Sequence, residues 1–95
     1  KLQLPQLKIQ IIRKHANLFL PLVTKVNQDD SLIVITKNFA STNLNYRWDF
    51  NGVFVSNARE ILVRDLKEKN GTIKVRVWGS FPGEKAENLA IIQIE

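Results

Sequence analysis

Apolar and polar side chains alternate with a period of two along most of this chain. In residues 72–78, Ile73, Val75 and Val77 occupy every second position, and Thr, Lys, Arg and Trp fill the others. Successive side chains of a β-strand point to opposite faces of the sheet, so this pattern predicts strands with one buried face. The alternation therefore favours an all-β fold.

A second alternating run carries most of the aromatic side chains and ends in a turn signal. Tyr46, Trp48 and Phe50 share one face, and Asn51-Gly52 follows them directly. Asn and Gly tolerate the positive φ angles that a two-residue hairpin turn requires. We therefore predict a hairpin whose return strand begins just after the turn.

Other segments show the same period and are separated by turns rich in Gly, Pro or charge. Strands are predicted within residues 7–11, 32–37, 61–63, 72–78 and 89–95, with 18–26 as a further strand or an edge strand broken by Pro21. About seven strands at a spacing of 8 to 12 residues are typical of an all-β sandwich.

Two segments have an alternative helical interpretation. Residues 9–20 and 57–69 each contain apolar side chains at helix-compatible spacings. The first is rich in β-branched residues and lies between Pro5 and Pro21, and the second is short, so strands are preferred in both.

Length and composition limit the architecture. The 95 residues are 44% hydrophobic and 24% charged, which predicts one folded domain over residues 1–95. The chain has no cysteine, so disulfides and thiolate metal sites are excluded. Because it opens at Lys1 without a Met, we expect a segment of a longer, multidomain protein.

Three stretches together resemble the PKD domain, an immunoglobulin-like β-sandwich. They are Tyr46-Arg47-Trp48-Asp49-Phe50-Asn51-Gly52, Gly71-Thr72-Ile73-Lys74-Val75-Arg76-Val77 and the closing Ala90-Ile91-Ile92-Gln93-Ile94. Asn51-Gly52 stands where the family has Gly-Asp-Gly, and Ile73 where it usually has Tyr, so a cysteine-free immunoglobulin-like or fibronectin type III-like domain is the close alternative. The resemblance implies a spacer or adhesion module in an extracellular, cell-surface or lumenal protein.

The two tryptophans are assigned different roles. Trp48 is expected to anchor the core between the two sheets, because a large ring on the inward face of a central strand buries much apolar area. The expected core residues are Tyr46, Trp48, Phe50, Val75 and Val77.

Trp78 falls on the polar face of its strand. It shares that face with Lys74 and Arg76, and Phe81 lies in the turn that follows. These four residues are a candidate binding site for a sugar or a neighbouring domain. The commoner explanation is that the strand bends before Gly79 or that a loop covers the indole.

All of the excess positive charge lies near the start of the chain. Residues 1–28 hold five basic residues and no acidic one, whereas residues 29–95 hold nine of each. Lys8, Arg13 and Lys14 are therefore candidates for binding a glycan or polyanion. The alternative is the solvated side of strands, because Leu and Ile rather than aromatic residues separate these charges.

Weaker signals involve single residues. His15 has no second ligand at metal spacing, so a solvated histidine is preferred. Asp29, Asp30 and Asp49 could bind Ca²⁺ only if their loops converged, and an ordinary polar turn is preferred at the first two. Asn70 begins a glycosylation sequon that a tight turn would also select.

The sequence has no Gly-rich phosphate loop and no nucleophile elbow. We therefore predict a non-enzymatic structural or protein-interaction module with no cofactor and no metal. Its expected partners are neighbouring domains of the same chain or another protein. The alternative is a small carbohydrate- or polyanion-binding module. We expect neither membrane insertion nor nucleic-acid binding.

Overall fold

The computed structural model describes residues 6–95 of the chain, and within them nine strands form. The strands are β1 (Lys8–His15), β2 (Leu18–Leu20), β3 (Lys25–Val26), β4 (Ser31–Lys37), β5 (Asn45–Phe50), β6 (Val53–Ser56), β7 (Glu60–Leu62), β8 (Asn70–Trp78) and β9 (Lys85–Ile94). A 3₁₀ turn, Val63–Asp65, follows β7.

The strands form two packed sheets. One has four strands in the order β2-β1-β4-β7, and the other has five in the order β3-β9-β8-β5-β6. All neighbours are antiparallel except β3 and β9, which run parallel. The prediction of an all-β sandwich is confirmed, with two more strands than expected in the described part of the chain.

The segment predicted at 18–26 as a further strand, or as an edge strand broken by Pro21, forms two short edge strands. β2 ends just before this proline and lies at the edge of the four-stranded sheet, whereas β3 lies at the edge of the five-stranded sheet. Proline has no N–H to donate to a strand ladder, so pairing stops there. The chain then crosses from one sheet to the other between β2 and β3.

The predicted hairpin is also confirmed. Phe50 pairs with Val53, and the two residues between them, Asn51 and Gly52, have φ angles of 52° and 80°. Positive φ at both central positions is the geometry whose twist matches the flanking strands.

Neither segment with a helical alternative forms an α-helix. Residues 9–20 lie mainly in β1 and β2, and residues 57–69 contain β7 and the 3₁₀ turn. The predicted strand at 61–63 is shifted by one residue, because Val63 already belongs to the 3₁₀ turn. The last strand begins at Lys85 rather than at 89, since its pairing with β8 extends to Trp78.

The core lies between the inward faces of the two sheets. Trp48 is completely buried at its centre, and its indole Nε1–H donates to the carbonyl oxygen of Ala58 at 2.7 Å. Phe50, Val75 and Val77 are buried with it, and Tyr46 packs against the cluster from a partly exposed position. At about 25 cal/mol per Å² of apolar surface, one buried Trp contributes on the order of 4–5 kcal/mol before entropy is counted.

Within the described residues, no helix is long and apolar enough to cross a membrane.

Candidate functional site

The outward side chains of β5, β8 and β9 form a continuous surface, which we call the β8 face. Strand alternation places Thr72, Lys74, Arg76 and Trp78 there, because Ile73, Val75 and Val77 point into the core. Three of the residues proposed from sequence, Trp78, Arg76 and Lys74, therefore lie in one row along β8.

Cross-strand register fixes the neighbours of these residues. Trp78 lies between Asn45 of β5 and Lys85 of β9, and the Asn45 amide donates to the Trp78 carbonyl oxygen at 3.4 Å. Over a third of the Trp78 surface, 37%, is exposed. The strand does not turn this side chain into the core, and the tryptophan is available at the end of the β8 face.

The β9 part of the β8 face carries exposed aliphatic side chains. Leu89, opposite Lys74, is 58% exposed, and Ile91, opposite Thr72, is 71% exposed. Two adjacent outward residues of one strand are about 7 Å apart, so these side chains form a contiguous apolar strip. This strip has no role in the core, which β9 completes with Ile92 and Ile94.

Charged side chains occupy the row next to this strip. Arg76 is directly opposite Arg47 of β5 and directly opposite Glu87 of β9. The Arg76 guanidinium lies 3.4 Å from a Glu87 oxygen, and Arg47 Nε lies 3.2 Å from Asp49 Oδ1. Two arginines thus face each other at the middle of the β8 face, with Glu87 beside Arg76 in the same row and Asp49 one row along β5, opposite Lys74.

The turn after Trp78 is held in place by the carboxylate of Glu84. This buried side chain accepts hydrogen bonds from the N–H groups of Ala40 (2.6 Å) and Ser41 (3.3 Å) and from the Ser41 hydroxyl. The pKa of Glu84 lies below its usual value, chiefly because the Ser41 hydroxyl donates to the carboxylate. Burial raises this pKa, and the hydrogen bonds from backbone N–H groups lower it further. Glu84 therefore joins the β8–β9 turn, with exposed Phe81 near its tip, to the β4–β5 loop.

The basic residues proposed near the start of the chain do not share a surface with Trp78. Lys8 and Lys14 are on the outer face of the four-stranded sheet, and Lys14 Nζ lies 3.5 Å from a Glu60 oxygen. Arg13 points to the other side of β1, because its register partner Leu32 is a fully buried core residue. The seven proposed binding residues are thus divided among two outer faces, a turn and the sandwich interior.

Arg13 belongs to a cluster around a buried carboxylate. Asp30 is almost completely buried; its Oδ2 lies 3.7 Å from an Arg13 nitrogen and accepts the Asn27 N–H at 2.9 Å. His15 Nδ1 donates to Asp30 Oδ1 at 2.6 Å, so this histidine is half-exposed and hydrogen-bonded rather than freely solvated. The cluster ties the end of β1 to the turn before β4.

The three aspartates considered for calcium have separate partners. Asp29 pairs with Arg64, Asp30 with the cluster just described and Asp49 with Arg47. No group of three or more His, Cys, Asp or Glu side chains within residues 6–95 has the arrangement of a metal site.

A groove of about 380 Å³ runs between the edge strands β6 and β7. Its floor is apolar, with Phe50, Val55, Ile61 and Leu66, and charged side chains of residues 65–68 form part of its rim. Phe54 lines the groove and also borders the β8 face, because its ring centroid lies 5.1 Å from the guanidinium carbon of Arg47.

Sequence reasoning missed Arg47, Lys85, Leu89 and Ile91 as members of the surface. The signal for two of them was present: once Ala90, Ile92 and Ile94 are assigned to the core, alternation requires Leu89 and Ile91 to face outward. Arg47 and Lys85 become relevant only through the register of β5, β8 and β9, which single-strand patterns do not define.

Comparison of the chain with protein families, curated proteins and solved structures finds no significant match.

Proposed function

We propose that this chain is a non-catalytic interaction module of a larger cell-surface or lumenal protein and that the β8 face binds its partner. The observation that carries the proposal is the exposure of Leu89 and Ile91 on an ordered sheet whose core is complete without them. Contiguous exposed apolar side chains rimmed by polar ones are typical of protein-binding surfaces.

Trp78 extends this surface toward the β8–β9 turn. Aromatic and arginine side chains contribute a large share of binding energy at protein interfaces, and the β8 face presents Trp78, Arg76 and Arg47 together. A sheet face is also rigid, so little conformational entropy is lost when a partner covers it.

The extracellular or lumenal setting and the immunoglobulin-like assignment rest on the sequence resemblance to PKD domains. The two-sheet architecture is compatible with that resemblance and with other β-sandwiches. A domain that binds its partner through an outer sheet face suits the spacer or adhesion role that the resemblance implies.

The carbohydrate or polyanion alternative has less support from the geometry. It required Lys8, Arg13 and Lys14 to act with Trp78, and these residues do not lie on one surface. We therefore retain protein binding as the proposed function.

The proposal is tested by site-specific photo-cross-linking in the cell that makes the natural protein. A benzophenone amino acid replaces Leu89, and a matched variant carries it at Lys8, on the outer face of the other sheet. Cross-links from position 89 to one defined polypeptide site, with none from position 8, are expected. Equal cross-linking from both positions, or none from position 89, contradicts the assignment of the β8 face.

A further inference from the structure

The central charges of the β8 face are arranged unevenly. One row across the sheet holds Glu87, Arg76 and Arg47, and Asp49 lies in the next row, two residues along β5 from Arg47 and opposite Lys74. Like charges directly opposite each other in a sheet are destabilising. The two arginines therefore form a positive centre, which Glu87 compensates within the same row and Asp49 compensates from the next row.

The guanidinium groups keep most of their hydrogen-bond donors available. Within the described residues, Arg47 donates only through Nε to Asp49, and Arg76 donates only through one terminal nitrogen to Glu87. Each guanidinium has five N–H donors in a planar fork that matches a carboxylate. Both side chains are about half-exposed, so these donors reach solvent.

Two lysines add to the positive charge. Lys74 lies one row from Arg76, and Lys85 is opposite Trp78. Neither has an acidic oxygen within 4.0 Å among residues 6–95. The β8 face thus carries four basic and two acidic side chains, an excess that favours an acidic partner.

The aliphatic strip narrows the class of that partner. Leu89 is one row from Arg76, and Ile91 is two rows away. Rows along a strand are about 7 Å apart, which is also the spacing of every second side chain in an extended peptide. Saccharides stack on aromatic rings but offer nothing to cover Leu and Ile, whereas a polypeptide supplies carboxylates and apolar side chains together.

We propose that the β8 face binds an extended acidic polypeptide segment, with one carboxylate held between Arg47 and Arg76 and apolar side chains packed on Leu89 and Ile91. This inference rests on the proposed function and names the chemistry of the partner. The segment carries an acidic residue followed at the second and fourth positions by aliphatic residues.

The test is an NMR titration of the isotope-labelled chain with a capped peptide of sequence Glu-Ser-Leu-Ser-Ile. A matched peptide has Gln in place of Glu, and a heparin tetrasaccharide serves as a non-peptide anion. Arg76→Gln removes one arm of the site. Lys8→Gln is the control, because Lys8 faces Lys37 in a like-charge pair on the outer face of the four-stranded sheet.

We expect the Glu peptide to shift the signals of Arg47, Arg76 and Leu89 and to bind at least fivefold more tightly than the Gln peptide. Arg76→Gln should abolish that difference, and Lys8→Gln should preserve it. Equal binding of both peptides to the β8 face overturns the carboxylate site and leaves the proposed function intact.

Two other outcomes are decisive. If neither peptide shifts the β8 face, the acidic-segment proposal is wrong, and the cross-linking experiment decides the proposed function separately. If heparin alone shifts the face, the ligand is a sulfated saccharide and both proposals are overturned.

Discussion

The side-chain amide of Asn51 fills the space in which a β-carbon on Gly71 would lie. Its oxygen accepts the Thr72 N–H at 2.9 Å, and its nitrogen donates to the Asn70 carbonyl oxygen at 3.0 Å. One side chain thereby extends the pairing of β5 with β8 beyond the last strand residue. Asn serves both requirements, since it tolerates positive φ and carries a donor and an acceptor.

Gly71→Ala should therefore destabilise the domain by about 1–3 kcal/mol, because the new methyl group displaces the Asn51 amide and its hydrogen bonds to Asn70 and Thr72. Chemical denaturation measures the loss. In an Asn51→Gly background, which keeps the positive φ, the same Gly71→Ala change should cost clearly less. Additive costs in the double variant would show that the two residues are not coupled.

Glu84 makes the stability of the domain sensitive to acid. Its pKa is lowered in the folded state, so its contribution is present above the unfolded pKa and is lost as pH falls through the folded value. Wild type should melt above Glu84→Gln at pH 7, and the gap should narrow as pH falls below about 4.

The control for this prediction is Glu95→Gln, at the exposed end of the chain. It should melt close to wild type across the same pH range. A melting difference between wild type and Glu84→Gln that stays constant from pH 7 to pH 3 would rule out the carboxylate as the acid-sensitive group.

The buried Asp30 offers a comparison with its exposed neighbour Asp29. Asp30→Ala leaves Arg13, His15 and a backbone N–H without their acceptor and should cost about 2–4 kcal/mol in the free energy of unfolding. Asp29→Ala removes an exposed pair with Arg64 and should cost less than about 1 kcal/mol. Similar losses from the two variants, measured by urea denaturation, would be incompatible with the cluster.

The two tryptophans should respond oppositely to truncation. Trp48→Ala removes a fully buried ring and its hydrogen bond, so a loss of about 3–5 kcal/mol or complete unfolding is expected. Trp78→Ala should change the melting temperature little, because its ring lies on the β8 face. Thermal melts followed by circular dichroism compare the two variants directly. A large drop in the melting temperature of the Trp78 variant would show that Trp78 is part of the core.

Much of the fold follows from local patterns. The alternation around Trp48 and Val75 and the dipeptide Asn51-Gly52 predict strands, faces and the hairpin, because each depends on neighbouring residues only. Pro21 predicts a break, although it does not say that the chain then changes sheets. The start of β9 at Lys85 also depends on its pairing with Trp78 and is therefore not visible in β9 alone.

Local sequence patterns predict the β8 face less completely than they predict the strands. Trp78, Arg76 and Lys74 were found because they share one strand, whereas Arg47 joins them only through pairing between strands. Arg13 was grouped with Lys8 by sequence proximity, yet they point to opposite sides of β1, and Arg13 is drawn inward by Asp30, seventeen residues away. Long-range partners of this kind leave no periodic signal.

The most direct test of the β8 face is the dissociation constant of the partner identified by cross-linking at position 89. Leu89→Ser with Ile91→Ser removes the aliphatic strip, and Lys8→Ser with Gln10→Ser makes a matched change on the other outer face. Burial of each aliphatic side chain contributes about 1.5–3 kcal/mol, so the first variant should bind at least tenfold more weakly and the second should bind like wild type. Unchanged binding by the first variant, or equal weakening by both, would show that the partner does not bind the β8 face.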